Sequence, residues 1–244
     1  MDKSIALVSG ANKGIGREIA RQLAAEGHTV YVGSRDAANG ERAVAEIGGD
    51  ARPLLLDVTD ARSVAAAASH VAALDILVNN AGISGDGKPA GEEDLTEYRR
   101  IYETNVFGVV AVTDAFLPAL RRSAHPRIVN VSSGTASLAA SGGHATGSYL
   151  ASRSRPASGA FAAYRSSKAA LNALTVLYAN ALAADGFKVN VLAPGLRRTD
   201  LNAGAAANGG DPAEAATGAV RLALLPDDGP TGQFVSWDGT PVPW

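Results

Sequence analysis

The stretch Ser9-Gly10-Ala11-Asn12-Lys13-Gly14-Ile15-Gly16 lies between an apolar run at 5–8 and an amphipathic segment at 17–26. A strand, a glycine-rich turn and a helix in this order are the setting in which glycines bind a dinucleotide. We expect Gly10 to adopt a positive φ, Gly14 to let the backbone approach a pyrophosphate, and Gly16 to let the helix pack closely. First-turn N–H groups and the helix dipole would then favour the phosphate charge. Three glycines alone also fit an ordinary strand-to-helix turn.

Apolar runs alternate with helical patterns along the whole chain. The runs predict strands at 5–8, 29–33, 52–56, 75–79, 127–131, 188–193 and 232–235. Helices are predicted at 37–47, 61–74, 94–120 with a break near Pro118, 161–184 and 213–225. Strands that alternate with helices form βαβ units, which place ligands at the carboxyl ends of the strands. We therefore predict one α/β domain over residues 1–244, a Rossmann-type doubly wound parallel sheet of about seven strands with helices on both faces.

The composition of the 244 residues limits the classes of function that the protein can have. The formal net charge is −2 and the basic residues are scattered, so we expect no nucleic-acid partner and no membrane surface. The absence of cysteine excludes disulfides and thiol nucleophiles. No two of the four histidines have metal-ligand spacing, so we expect no metal site. The N-terminus predicts no signal peptide and no run is long enough to span a membrane, so we expect a cytoplasmic protein.

The residues after the second predicted strand bear on the cofactor. An acid at this place would bind ribose hydroxyls, whereas an arginine suits a 2′-phosphate. Arg35 stands there, and Lys13 in the glycine loop adds a second cation that we expect to face the same ribose. Asp36 is either the acid or the N-cap of the next helix. This pattern favours NADP over NAD, unless Arg35 is only a solvated surface charge.

Polar and small residues follow the third and fourth predicted strands as well. Asp57 and Val58 are suited to an adenine amino group, while Asn80 can brace neighbouring backbone. Ala81 and Gly82 leave room for a flat ligand. Each of these features is equally consistent with turn chemistry.

Tyr164 and Lys168 are four residues apart in a predicted helix, so they share one face. Such a pair is common on helix surfaces. Upstream, Ser133 follows the fifth predicted strand, and Asn105 interrupts the apolar positions of its helix. Ser133 lacks the Gly-x-Ser-x-Gly setting of a hydrolase nucleophile, so we reject a hydrolase.

Taken together, these residues make the chain resemble a short-chain dehydrogenase/reductase over essentially its full length. The residues that carry the resemblance are Ser9 to Gly16, Asp57, Asn79 to Gly82, Asn105, Ser133, Tyr164, Lys168, Pro194, Gly195 and Thr199. Most members have Thr where this chain has Ser9, which keeps the hydroxyl. The Asn12-Lys13-Gly14 sequence, Arg35 and the ending Gly232-Gln233-Phe234-Val235 are most similar to the monomeric carbonyl-reductase-like branch.

The resemblance implies reversible hydride transfer between a nicotinamide and a carbonyl or alcohol. Tyr164 would be the general acid, and Ser133 would hydrogen-bond the substrate oxygen. Lys168 would hold the nicotinamide ribose, and its ammonium would lower the Tyr164 pKa. Asn105 would hold a water that links Lys168 to solvent. Pro194, Gly195 and Thr199 would contact the nicotinamide end of the cofactor.

The sequence thus predicts an NADPH-dependent reductase of ketones or aldehydes, with a small-molecule carbonyl or alcohol substrate. One alternative is an NAD(P)-dependent alcohol dehydrogenase that runs in the oxidative direction. Another is a non-catalytic NADP-binding sensor on the same fold, but such a protein is expected to lack the Tyr or the Lys.

The interval from Ser133 to Tyr164 is longer than is usual in the family. The extra residues fall at about 134–160, a stretch rich in Ser, Ala and Gly. We expect this insertion to form part of the substrate wall, although a surface excursion has the same composition. In tetrameric relatives the following helix packs against a neighbouring subunit, so an insertion at its start favours a monomer.

Overall fold

A computed structural model describes residues 3–142, 159–201 and 208–244 of the chain. Its centre is a seven-stranded parallel sheet in the order β3-β2-β1-β4-β5-β6-β7. The strands are β1 Ile5–Val8, β2 Thr29–Ser34, β3 Asp50–Leu55, β4 Ile76–Asn79, β5 Arg127–Val131, β6 Lys188–Ala193 and β7 Phe234–Ser236. The order reverses between β1 and β4, and a crevice for a ligand forms at such a switch point. The predicted doubly wound α/β fold is confirmed.

Helices cover both faces of the sheet. They are α1 Gly14–Ala25, α2 Ala37–Ile47, α3 Ala61–His70, α4 Leu95–Tyr102, α5 Gly108–Leu120, α6 Leu138–Ser141, α7 Ala162–Ala181 and α8 Pro212–Ala223. Neighbouring strand residues point to opposite faces, so Val8 joins the core under α1 and α8 while Leu7 joins the core under α3 and α5. Burial on both faces explains why the strands are continuous apolar runs. No helix within the described ranges is long and apolar enough to span a membrane.

The long helix predicted at 94–120 is divided at a different place from the one expected. A five-residue π-helical turn, Glu103–Phe107, separates α4 from α5, and Pro118 lies inside α5. The helix continues past Pro118, since the Arg121 N–H still donates to the Leu117 carbonyl at 2.9 Å. The predicted break at Pro118 is therefore wrong. The irregularity falls instead on the turn that contains Asn105, and π-turns are frequent at functional sites.

Candidate active site

The glycine loop packs against the loop that follows β4. Gly10 has φ +62°, and a Cβ there would lie 2.9 Å from the Cα of Ala81. A Cβ on Gly16 would overlap the side-chain nitrogen of Asn80 and lie 2.7 Å from the Gly10 carbonyl oxygen. Gly14 has φ +57° and faces Thr199, whose Cγ2 would be 3.3 Å from an added Cβ. The two loops therefore meet at a distance that only glycines allow.

Hydrogen bonds of Ser9 and Asn80 hold the two loops together. The Ser9 hydroxyl accepts from the backbone N–H groups of Asn80 and Ala81, at 3.0 and 3.1 Å. In return, the Asn80 side-chain amide donates to the Ser9 carbonyl at 2.9 Å. Asn80 thus braces the glycine loop, and the hydroxyl that Ser9 shares with Thr explains why either residue suits this position.

The first turn of α1 is open to an anion. Lys13 is the N-cap but its side chain makes no capping bond, and the turn contains no acidic residue. Asn12 and Ile15 flank it and are half-buried. The glycine cradle and the uncapped N–H groups therefore fit a pyrophosphate. We expected Lys13 to face the ribose beside Arg35; its ammonium instead pairs with Asp200 at 2.9 Å, with both side chains exposed.

The segment after β2 shows which of two predicted roles Asp36 has, the acid that binds ribose or the N-cap of the next helix. Its carboxylate accepts a hydrogen bond from the Asn39 N–H at 2.7 Å, so Asp36 is the N-cap of α2. Arg35 is exposed beside it. The pKa of Asp57 is lowered, chiefly because the Thr59 N–H and hydroxyl donate to it and in part because of the Arg35 charge. Arg35 and Asp57 therefore act on the same region, next to the half-buried Val58.

Asn105 is fully buried and connects the loop after β4 to the helix that carries Tyr164. Its amide nitrogen donates to the Ile83 carbonyl at 2.9 Å and to the Ser167 hydroxyl at 3.0 Å. Its amide oxygen accepts from the Ile83 N–H at 2.9 Å. Ser167 in turn donates to the Tyr164 carbonyl at 2.7 Å. The side chain of Asn105 therefore fixes the position of α7, and the water predicted for it stays a prediction.

Lys168 is 4% exposed and is held by the end of β5. Its ammonium donates to the Val131 carbonyl at 2.8 Å, and the Ser132 hydroxyl donates to the Lys168 carbonyl at 3.3 Å. Burial lowers the pKa of the ammonium to about 8. A Cβ on Gly82 would lie 3.3 Å from both this ammonium and the amide oxygen of Asn105. The absence of a side chain at Gly82 therefore makes room for both polar groups.

Tyr164 and Ser133 come together beside Lys168. Burial raises the pKa of the Tyr164 phenol, and a hydrogen bond shared with Ser133 offsets part of that effect. The Ser133 hydroxyl is also within 2.9 Å of the Thr135 hydroxyl and accepts from the Thr135 N–H at 3.2 Å. The lowering of this pKa by the Lys168 ammonium stays a prediction.

The loop after β6 closes the site on the side of the glycine loop. The Arg197 guanidinium, itself buried, donates to the Pro194 carbonyl at 2.7 Å and stacks on Trp237 at 4.3 Å. Gly195 has φ +72°, and a Cβ there would lie 3.3 Å from the Trp237 ring. Thr199 then meets Gly14. Thr199 therefore lies beside the glycine loop, and the contacts of Pro194, Gly195 and Thr199 with a cofactor stay a prediction.

Comparison with known proteins agrees with this geometry. The family model described as short chain dehydrogenase matches residues 4–155 and 151–209. The chain belongs to the short-chain dehydrogenase/reductase family. Salutaridine reductase from Papaver somniferum is 33% identical, with 94% of this chain and 93% of that protein covered. A crystal structure of NADPH-bound carbonyl reductase from chicken fatty liver has a TM-score of 0.83 and 27% identity, with both chains covered completely.

Membership of the short-chain dehydrogenase/reductase family gives the class of chemistry. The protein is an oxidoreductase of a family that uses nicotinamide cofactors and acts on carbonyl or alcohol groups. The family resemblance of the sequence is thus confirmed.

Two positions of the site were missed from the sequence. Ser167 could have been found, because it lies three residues after Tyr164 on the same helix and near the face of Lys168. Glu93, described below, carries no such signal, because it lies 70 residues from its partner Ala163.

Proposed function

We propose that the protein is an NADPH-dependent reductase that transfers hydride to a ketone or aldehyde, with Tyr164 as the general acid. The observation that carries this proposal is the hydrogen bond between Tyr164 and Ser133, one helical turn before Lys168, whose buried ammonium is held by the Val131 carbonyl. A nicotinamide cofactor, when bound, supplies the hydride. The glycine cradle and the uncapped first turn of α1 fit its pyrophosphate.

The residues of this chain would have the following roles in the reaction. The Ser133 hydroxyl binds the substrate oxygen and fixes its position beside Tyr164. The phenol of Tyr164 donates its proton to that oxygen as the carbon is reduced, and the Lys168 ammonium stabilises the tyrosinate that remains. Asn105, acting through Ser167, keeps the backbone of Tyr164 in place during the transfer.

The choice of NADP over NAD is part of the proposal and rests on charge. Arg35 is exposed directly after β2, while the carboxylate of Asp36 is engaged as a helix cap. A cation there suits a 2′-phosphate, and a capping carboxylate is less suited to bind ribose hydroxyls. Structural neighbours alone do not decide the matter, because a 3-ketoacyl-(acyl-carrier-protein) reductase from Brucella melitensis complexed with NADH has a TM-score of 0.80 and 28% identity.

We also propose a single catalytic domain that acts as a cytoplasmic monomer, with the insertion at 134–160 as part of the substrate wall. Most of the insertion, residues 143–158, lies outside the described residues. The described Leu138 lines an apolar cavity of about 390 Å³ on α7, together with the exposed side chains of Leu177 and Trp244. Light scattering tests the monomer: we expect a mass near 24.7 kDa, and a multiple of that mass would contradict the proposal.

Tyr164→Phe tests the reductase directly, because it removes only the phenolic hydroxyl. We expect turnover of carbonyl compounds to fall by roughly 10²- to 10⁴-fold while NADPH affinity stays within a few-fold. NADPH absorbance with a panel of ketones and aldehydes measures the first quantity, and fluorescence titration measures the second. Tyr178→Phe is the matched control, because its hydroxyl lies on the same helix but donates to Asp114. Retention of more than about a tenth of the activity by Tyr164→Phe would disprove the mechanism.

A further inference from the structure

The helix that carries Tyr164 begins without a side-chain cap of its own. Its N-cap residue is Phe161, which makes no capping hydrogen bond and has φ +57°. A left-handed conformation is rare for a bulky residue and marks a site where surrounding contacts impose the backbone. Tyr164 is the third residue of α7, so it lies within the turn that lacks this local support.

Contacts from a distant loop impose this start of the helix. The Phe161 N–H donates to the Lys88 carbonyl at 3.0 Å, and its ring packs on Gly87, where a Cβ would lie 2.7 Å from the ring. The Ala90 N–H donates to the Gly159 carbonyl at 3.1 Å. The loop at 87–93 therefore acts as a clamp on the segment that enters α7.

Glu93 completes the clamp by supplying the missing cap. One oxygen of its carboxylate accepts a hydrogen bond from the Ala163 N–H at 2.8 Å. The other oxygen is buried and has no hydrogen-bond partner among the described residues. The second oxygen lies beside Gly85, where an added Cβ would be 3.5 Å away, an ordinary contact distance. A carboxylate held at a helix N-terminus is favourable because it satisfies an N–H group and complements the helix dipole.

We propose that Glu93 is a positioning residue for Tyr164, which it holds through the backbone of Ala163. The first turn of α7 is then fixed on both sides of Tyr164. Glu93 binds the N–H of the preceding residue, while Ser167 binds the carbonyl of Tyr164 itself. Lys168 is held separately by Val131 and Ser132, so the position of the phenol can change without a change at the ammonium. The proposal rests on the proposed function, in which Tyr164 is the proton donor.

Kinetics of Glu93→Ala test this role against a merely structural one. We expect kcat to fall roughly tenfold, because a displaced general acid transfers its proton poorly. NADPH affinity should stay within about twofold of the wild type, since Lys168 and the glycine loop do not depend on Glu93. Glu93→Gln keeps an oxygen acceptor and should restore most of kcat. Glu92→Ala is the matched control, because it removes an exposed carboxylate at the adjacent position.

Hydrogen exchange of the segment at 160–168 gives a second test of whether Glu93 holds the first turn of α7. We expect faster exchange in Glu93→Ala and exchange close to that of the wild type in Glu93→Gln. If Glu93→Ala does not fold, Glu93→Asp replaces it, since a carboxylate one methylene shorter also loses Ala163 and should change kcat in the same direction.

Two outcomes would overturn the proposal: an unchanged kcat in the folded Ala or Asp variant, or a loss of NADPH affinity that matches the loss of kcat. Tyr164→Phe is measured in parallel so that the two failures can be separated. High activity in Tyr164→Phe would reject the proposed function, whereas an inactive Tyr164→Phe beside a fully active Glu93→Ala would reject only the role of Glu93. If the proposed function and the role of Glu93 are both correct, the double variant Glu93→Ala/Tyr164→Phe should have the same kcat as Tyr164→Phe alone.

Discussion

The glycine loop at 9–16 and the start of α7 at 161–168 are built in opposite ways. The loop is shaped by missing side chains, since Gly10 and Gly16 have no space for a Cβ. The start of α7 is shaped by side chains from elsewhere, since Glu93 and Asn105 reach it across 70 and 62 residues of sequence. The glycine loop can therefore be recognised in the sequence as a local motif. The start of α7 depends on contacts with residues that are distant in sequence, so no local pattern indicates it.

The two regions also differ in how the burial of their polar groups affects the stability of the fold. In the glycine loop the buried groups are mostly backbone amides and small polar side chains, and Ser9 and Asn80 satisfy them. At the catalytic turn an ammonium is buried at Lys168, and burial raises the pKa of Tyr164. Burying a charge is unfavourable even when it is hydrogen-bonded. The start of α7 should therefore lower the free energy of unfolding, a cost that a functional role would explain.

The largest expected effect is that of Gly10→Ala in the glycine loop. The new Cβ would lie 2.9 Å from the Cα of Ala81, and the residue would keep an unfavourable φ of +62°. Because the Ala81 Cα is a backbone atom, the loop must move, and we expect NADPH affinity to fall by more than about 100-fold. Gly186→Ala is the matched control, because Gly186 also has a positive φ but no atom within 4 Å of an added Cβ. An equal loss of NADPH binding in both variants would show that space at Gly10 is not the cause.

The next effect concerns stability at the catalytic turn. Lys168→Met removes the buried charge and should abolish turnover, yet raise the free energy of unfolding at pH 7 by about 1–3 kcal/mol. The pKa of Lys168 falls from 10.5 in the unfolded chain to about 8 in the folded one, so between these values the unfolded chain binds more protons. The wild type should therefore gain stability with rising pH from about 8 to 10.5, relative to the variant. Urea denaturation at pH 7 and at pH 10 measures both effects, and a Lys168→Met variant less stable than the wild type at pH 7 would contradict them.

An effect confined to one of the two cofactors is expected at the exposed edge of the proposed cofactor site. Arg35→Ala removes the contact that we propose to a 2′-phosphate, worth about 1.5–3 kcal/mol, so the KM for NADPH should rise roughly 10- to 150-fold. The KM for NADH should change little. Steady-state kinetics with the two cofactors decide the matter, with Arg42→Ala on the exposed face of α2 as the control. Equal changes for both cofactors would mean that Arg35 does not bind the 2′-phosphate.

The sequence predicted what depends on local chemistry. The strand at Ile5–Val8, the helix at Ala37–Ile47 and the positive φ of Gly10 follow from residues that are close in sequence, and the structure confirms them. The pairing of Lys13 with Asp200 was not predictable, because it joins residues 187 positions apart that no shared pattern connects. The effect of burial on the pKa of Tyr164 was not predictable for a similar reason, because burial depends on segments that are distant in sequence.

The π-helical turn Glu103–Phe107 makes the length of this segment matter as much as its composition. Loss of one residue from the turn would restore regular α-helix and rotate α4 by about 100° relative to α5. Asn105 would then turn away from Ile83, and the connection to α7 would be lost. Substitutions on the exposed side of α4 should therefore accumulate among related chains, whereas single-residue deletions between α4 and α5 should be eliminated. The count of residues in this turn, more than the identity of most of them, is what selection would preserve.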